Sequence, residues 1–398
     1  MKSNAEFIAL TALLISIVAL GIDAMLPALP QIGADLGVVH DNDRQWVLSI
    51  FVLGLGIGQL FYGPVSDSLG RKPMIIGGLV LFMAGSVLSL IAANFTTMMI
   101  GRLLQGLGAA GPRTVIIAMV RDQYAGRAMA RIMSFVMTVF ILVPILAPAL
   151  GQLIVHFAHW RVIFVFFLLI TMISAVWFHL RQVETLKPDA RQTLAFVPLL
   201  QRAVSVFKNR IALGYLLATS LIFSAFFGYL VSAQQIFHDI FGLTHLFPLY
   251  FALLAIALGI ATLTNARLVM RYGMTRLVVI SQTVIVAASG IYGLLLWADL
   301  ATSLAAFMLF FSVIFFAIGI MFGNINALAM EPLGHIAGTA AAIIGSFTTI
   351  ISVTLGGLIG YSFNGTLMPL LAGFIVFGGL ALLAIRWAEH ARREDAVK

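Results

Sequence analysis

Three ionisable residues lie inside stretches that carry almost no other charge. Asp23 sits in ALGIDAMLPALP (19–30), Arg102 in MIGRLLQGLG (99–108) and Arg113 in AAGPRTVII (109–117). A carboxyl group in a low-dielectric cavity can take up and release a proton near neutral pH. Asp23 could therefore alternate between a proton-bound and a substrate-bound state. The opposing reading is a structural aspartate, ion-paired or exposed at the outer membrane face. Arg102 falls at a similar depth and is the natural partner of Asp23. It cannot deprotonate, so it would act as a fixed charge, or simply lock two helices together. Arg113 follows eleven residues later. Eleven residues turn a helix by about 1,100°, or about 20° net, so both arginines share one face, about 16 Å apart. A deep cation there could bind an anionic or carbonyl-bearing substrate, or it could snorkel or bond to carbonyls.

Other residues carry weaker signals. Ser220, Ser224, Tyr229, Gln234, Gln235, Asn324 and Asn326 are polar groups in apolar surroundings and could line a cavity. Such groups also bond across helices as glue, for about 0.6–2 kcal/mol. Glu331, just before Pro332, could be a coupling acid, with a surface or capping role as the simpler reading. His156 and His159 fall in a short connection expected to meet solvent. The eight histidines show no metal-ligand spacing, cysteine is absent, and no G-x-x-x-x-G-K-[ST] loop occurs. No metal site, thiol chemistry or cofactor is expected, and direct ATP drive is not supported.

The elements that must hold these residues follow from composition. Of 398 residues, 61% are apolar and 10% charged, against about 45–50% and about 25% in soluble domains. A core of this length could not hide so much apolar surface. A cytosolic enzyme, a nucleic-acid-binding domain and a disordered chain are thereby excluded. Twelve runs are long enough for a membrane helix of about 20 residues. They cover 7–30, 46–62, 73–93, 97–120, 132–155, 161–180, 211–232, 247–266, 275–297, 301–330, 336–360 and 369–386. None alternates like a barrel strand. The first is not expected to be a cleaved signal, because Asp23 lies inside it and it leads into Pro27 and Pro30.

With both termini on the cytoplasmic side, nineteen of the 23 lysines and arginines fall on that side. Two, Arg44 and Arg161, fall on the other, and Arg102 and Arg113 lie within spans. This bias follows the positive-inside rule and accounts for the +8 charge without an acidic partner. The connection 181–210 divides the spans six and six. The expected organisation is a first half at 1–180, a cytoplasmic linker at 181–210 and a second half at 211–398. Within the linker, Phe196, Leu199, Leu200, Ala203, Val204 and Phe207 have the spacing of an amphipathic surface helix; a solvated linker is the alternative. The two halves suggest a repeat. GPVSDSLGRKPM (63–74) matches NARLVMRYGMTRL (265–277) in Gly70 and Gly273 and in nearby basic residues, although the second copy lacks the aspartate.

The chain resembles the major facilitator superfamily and, more narrowly, the bicyclomycin/chloramphenicol-resistance family of drug:proton antiporters. GIDAMLPALPQIGADL (21–36) carries the likeness, as does the G-x-x-x-D-x-x-G-R-K loop at Gly63, Asp67, Gly70, Arg71 and Lys72. So do GRLLQGLGAAG (101–111) running to Arg121-Asp122, PILAPALG (144–151) and MEPLGHIAGTAAAIIGS (330–346). The resemblance implies an all-α membrane protein of twelve transmembrane helices in two pseudo-symmetric six-helix halves. It assigns Arg102 a part in proton coupling. Asp67 resembles the residue that meets a helix N-terminus of the other half, where an anion is favoured. Arg71 resembles the residue that pairs with the acid ending the fourth span, here Asp122; together these form a gating loop. Pro144, Pro148 and Gly151 resemble the antiporter motif, although Ala147-Pro148 stands where a Gly-Pro pair is usual.

The leading expectation is a proton-driven exporter of small amphipathic compounds, working by alternating access with a cavity between the halves. Its partners would be a small-molecule substrate, protons and the lipid bilayer, with no nucleic acid, and it would be a monomer of the bacterial inner membrane. A proton-linked importer of a metabolite and a transport-inactive sensor remain as alternatives. An intramembrane enzyme would need a nucleophile–base or metal constellation, and the sequence shows neither.

Overall fold

A computed structural model of the chain describes residues 4–124, 126–191 and 196–397. Lys2 and Lys398 lie outside the described residues, as do the side chains of Arg127, Arg131, Arg202, Phe196, Leu199 and Leu200. The described residues form helices and no strand. In lipid every backbone N–H and C=O must be satisfied within its own segment, and apolar runs of this length solve that as helices. Among the described residues eleven helices are long and apolar enough to cross a membrane. The remaining expected span lies in Gly126–Phe157, whose side chains are described only in part.

The chain divides into two compact units, Met1–Phe196 and Val197–Lys398. The first holds α1 (Asn4–Asp23), α2 (Leu29–Asp35), α3 (Trp46–Leu69), α4 (Arg71–Leu90), α5 (Phe95–Gln123), α6 (Gly126–Phe157) and α7 (Arg161–Arg181). The linker stretch forms α8 (Phe196–Lys208). The second unit holds α9 (Arg210–Gln235), α10 (Phe247–Tyr272), α11 (Met274–Trp297), α12 (Leu304–Met330), α13 (Ala337–Tyr361) and α14 (Met368–Val397).

The first expected span, 7–30, is not one helix. α1 ends at Asp23, a 3-10 turn covers Leu26–Ala28, and α2 starts at Leu29. The sequence explains the break. Pro27 has no N–H to offer the Asp23 carbonyl, so the α-helical ladder cannot continue. Met25 N instead donates to Ile22 O at 3.3 Å, a tighter i−3 bond. The Gly21 carbonyl, which Met25 would have taken in a regular helix, is released.

Small residues set how closely the helices of the first unit approach. α5 presents Gly101, Gly106 and Gly108 to the backbones of α3 and α4, the packing expected where lipid supplies no hydrophobic drive between helices. Gly151 of α6 does the same against the broken end of α1. A Cβ there would lie 2.0 Å from the Ala24 carbonyl oxygen. Gly70 joins α3 to α4 at φ +109, a conformation that L side chains rarely adopt. Gly273 holds the matching place between α10 and α11 at φ +76. The repeat thus survives in backbone geometry where the second copy has lost the aspartate.

The second unit packs around aromatic rings. Tyr229, Phe311 and Phe315 meet with centroids 4.9–6.5 Å apart, and Phe307, Phe237 and Phe251 extend the cluster. Leu263, Met270, Leu294 and Trp297 stay exposed on α10 and α11. In water such surface would be a liability; in a bilayer it is the lipid-facing side.

Candidate functional site

The first unit carries two clusters, at Asp23 and at the α3–α4 junction. Asp23 is the last residue of α1, about 26 Å along the helix from Glu6 at 1.5 Å per residue. Its side chain is nonetheless buried, which removes the reading of an aspartate exposed at the membrane face. Among the described residues no hydrogen bond or ion pair reaches its carboxylate.

Arg102 does not pair with Asp23. Its Nη2 donates to Gly21 O at 2.6 Å, its Nε to Val47 O at 2.8 Å and its Nη1 to Gln105 Oε1 at 2.8 Å. The guanidinium also lies 4.5 Å from the centroid of the Phe51 ring. The break explains the difference. It frees the Gly21 carbonyl, and the rigid fork of an arginine suits several fixed acceptors at once. Gln105 Nε2 donates onward to Ser86 Oγ at 2.7 Å, and Ser86 Oγ to Phe82 O at 2.8 Å. Arg102 therefore clips α1, α3 and α4 around α5. Among the described residues Asp23 is left without a compensating cation.

Arg113 lies on the same α5 face, about three turns along from Arg102, and is only partly buried. Gly151 brings α6 against Ala24, the residue after Asp23. Pro144 and Pro148 lie in the same helix, partly buried and buried respectively. The helix with the antiporter-like spacing thus touches the very turn that holds Asp23.

At the α3–α4 junction, Arg71 is buried and central. It donates from Nε to Asp122 Oδ2 at 3.0 Å and from Nη1 to Ser66 Oγ at 2.7 Å, and it pairs with Asp67 at 2.5 Å. Gly63 is partly buried here and its carbonyl accepts from Ser66 Oγ at 2.8 Å. Glu184 lies in the connection after α7, outside every motif of the sequence. Its two carboxylate oxygens accept from the Arg71 and Lys72 backbone N–H groups at 2.9 and 3.0 Å, at the very start of α4. An anion is favoured at a helix N-terminus, where the backbone N–H groups have no partner within the helix. Burial pushes the Glu184 carboxyl up, but backbone N–H bonds from Leu186, Arg71, Lys72 and Thr185 outweigh this and hold it below its ordinary 4.5. A Cβ on Gly70 would lie 2.5 Å from Glu184 Oε2. Lys72 Nζ bonds His179 O at 2.7 Å, and Thr185 Oγ1 donates to Asp122 at 3.3 Å. The glycine is thus required twice, for its φ and for the carboxylate packed on it. No local pattern marks Glu184, because its partners lie more than 110 residues away in sequence.

A testable consequence follows for pH. A carboxyl held below its ordinary value adds stability that is complete above about pH 4.5 and is lost as pH falls through the lowered value. Glu184→Gln should therefore lower the apparent Tm at pH 7 and differ less from wild type as the pH drops below 4.5. Charged hydrogen bonds are worth about 1.5–3 kcal/mol, and partial exposure brings this to about 1–2 kcal/mol. Thermal melts of both proteins at pH 7 and pH 4 check it; parallel Tm values across that range would refute it.

Four candidates of the second unit, Ser220, Ser224, Asn324 and Asn326, are hydrogen-bonded within it. Ser220 Oγ and Ser224 Oγ donate back to Leu216 O and Ser220 O at 2.8 and 2.7 Å. Ser352 Oγ adds a 3.1 Å bond to Ser220 O, tying α13 to α9. Asn324 Nδ2 donates to Asn265 Oδ1 at 2.7 Å and to Ile320 O at 2.9 Å, joining α12 to α10. Asn326 bonds back to Phe322 O at 3.1 Å. Tyr229 is buried with its ring in the aromatic cluster. Gln234 and Gln235 are buried at the end of α9. Glu331 accepts from Arg392 Nη2 at 2.6 Å, next to the Tyr215–Glu389 bond of 2.5 Å. An acid closing α12 and an arginine of α14 thus repeat the Asp122–Arg71 chemistry with different elements. His159 is not simply solvated: with Trp160 Nε1 it bonds Asp35, at 2.7 and 2.8 Å. His156 ends α6 against the Phe157 ring. Among the described residues no cluster of His, Asp or Glu could hold a metal.

The units share a glycine-joined helix pair, at Gly70 and at Gly273, and the first adds a basic–acidic cluster at that turn. Residues 11–357 match the Major Facilitator Superfamily. The chain belongs to this superfamily. Its members are transporters, not enzymes, so this is a multi-pass membrane protein of a family that moves small molecules. The narrower likeness is also found. A bicyclomycin resistance protein homolog of Haemophilus influenzae is 29% identical over 380 residues, covering 93% of this chain and 92% of the relative. Multidrug resistance protein D of Escherichia coli is 28% identical, covering 96% of each chain. Among solved structures, a D-xylose-proton symporter superposes with a TM-score of 0.75 at 15% identity over 96% of this chain and 97% of that one. At that identity the match speaks for the fold alone.

Proposed function

We propose that this superfamily member is a proton-driven exporter of small amphipathic compounds, working by alternating access as a monomer in a bacterial inner membrane. Both termini would face the cytoplasm, and the halves would be 1–180 and 211–398, joined by 181–210. The observation that carries the reading is Asp23: a buried intramembrane carboxyl, at a helix break, with no cation committed to it among the described residues. An ionisable group in that setting is expensive and marks an ion or substrate path. Arg102 would take part by holding the break open through Gly21. Pro148 and Gly151 would pass motion of α6 to Ala24, beside the proton site. The Arg71, Asp122, Asp67 and Glu184 cluster would latch one end of the first half, breaking and re-forming as the cavity changes sides. The resistance names of the relatives support export of drug-like compounds.

The test is purified protein in liposomes under an imposed pH gradient, with lumenal pH followed as candidate compounds are added. The reading expects proton movement only when a transported compound is present. Binding of compounds without any proton movement would refute it and favour a uniporter or sensor. Proton movement coupled to uptake in the same direction would refute antiport and favour the importer.

A further inference from the structure

Arg113 differs from the other deep or junctional arginines of the first unit. Arg102 has three acceptors and an aromatic face. Arg71 has Asp67, Asp122 and Ser66, and Arg161 has Asp35 and the carbonyls of Leu90 and Ala92. Arg113 has no hydrogen bond, ion pair or ring contact among the described residues. It sits mid-membrane, ten residues before α5 ends at Gln123, or about 15 Å from that end.

Its position on the helix tells which way it faces. Arg102, Gly106, Ala109, Arg113, Ile116 and Val120 follow at alternating steps of four and three, which is one stripe of a helix. Every member except Arg113 is buried. A lipid-facing arginine would have exposed neighbours one turn above and below. Here Ala109 and Ala110 above are buried, as is Ile116 below, while Ile117 beside it is 45% exposed. Arg113 therefore lies at the exposed edge of a covered stripe, the same stripe whose Arg102 reaches α1 two residues before Asp23. Asp23 cannot neutralise it, since it sits near Arg102, about 16 Å up the helix.

We propose that Arg113 binds ligand, and that it takes a carboxylate or similar oxyanion on the transported compound. This rests on the transport reading above and names its substrate class: amphipathic acids in preference to neutral or purely cationic compounds. An always-charged planar fork without acceptors among the described residues is suited to bidentate capture of a carboxylate, and in a low-dielectric setting such a bond is strong.

Two dansyl probes of one size test it: dansylglycine, an anion at pH 7.5, and dansylglycinamide, its neutral amide. Binding to the full-length protein is read by fluorescence in neutral detergent. Wild type should bind the acid at least tenfold more tightly than the amide. Arg113→Gln should abolish that preference with amide binding unchanged, and Arg113→Lys, which keeps the charge, should retain part of it. An amide bound as tightly as the acid by wild type, no binding of the acid, or a preference surviving in Arg113→Gln overturns the proposal. Phosphatidylglycerol in the micelle should leave acid binding unchanged; displacement by that lipid would make a headgroup the occupant and overturn it too. The two readings fail separately. Arg113-dependent acid binding without proton movement in liposomes sinks transport and leaves this site. Proton movement driven equally by acid and amide, and unaltered in Arg113→Gln, sinks this site and leaves transport.

Discussion

Asp23→Asn is expected to abolish compound-driven proton movement while leaving the apparent Tm and compound binding near wild type. The substitution keeps the shape of the side chain and removes the titratable proton. Since no bond among the described residues reaches the carboxylate, little structure depends on it. The cost of carrying a carboxyl at this depth is then explained by function alone. Asp23→Glu keeps the proton but moves the carboxyl by one methylene, and slower coupled flux is the expected result. The measurement is lumenal pH in liposomes beside a binding assay and a melt. Full proton movement in Asp23→Asn would move the coupling site elsewhere. A collapsed melt would show instead that Asp23 holds the fold.

Arg102→Leu is expected to act in the opposite way, on the fold first. The guanidinium is fully buried and supplies the hydrogen bonds of Gly21 O, Val47 O and Gln105 Oε1. Leucine would leave Gly21 O and Gln105 Oε1 unsatisfied, each costing about 1–3 kcal/mol, and would remove the second bond of Val47 O, which keeps its place in the α3 ladder. Relief from desolvating a cation offsets part of this, and breaking a buried polar arrangement on one side still costs about 3–5 kcal/mol. Arg102→Lys should fall between, because one ammonium cannot meet acceptors on α1, α3 and α5 together. Melts and size-exclusion profiles in detergent check the order wild type, lysine, leucine. A leucine variant as stable as wild type would show that the three bonds contribute nothing net, and Arg102 would then have to be judged by flux alone.

The two outcomes together separate roles that the residue types alone confuse. An aspartate and an arginine at equal depth in neighbouring spans suggest an ion pair. The pair is absent for a reason that lies in the chain itself: Pro27 interrupts α1, Met25 turns to Ile22, and the released Gly21 carbonyl takes the arginine. Each step is local and simple. Their combination depends on α5 lying close enough for Arg102 to reach, which is a matter of tertiary packing through its glycines.

Much of this protein follows from its sequence because the bilayer is a demanding solvent. Apolar runs of about 20 residues must be helices there, so the spans, their number and the family likeness are all readable from hydropathy and motif. Gly70 and Gly273 are likewise readable, since a sharp helix-to-helix turn needs their positive φ. What the tertiary structure alone decided is the partner of each polar group. Ser220, Ser224 and Asn324 have the composition of cavity residues, yet their hydrogen bonds close on their own helix or on the one beside it. Glu184 has no motif, yet it caps α4 from more than 110 residues away. Arg102 and Arg113 share a helix face by spacing, but only packing left one with three acceptors and the other with none among the described residues. Hydropathy is a property of a segment, so it can be summed along the chain. A hydrogen bond is a property of two places, and the second place exists once the helices have packed.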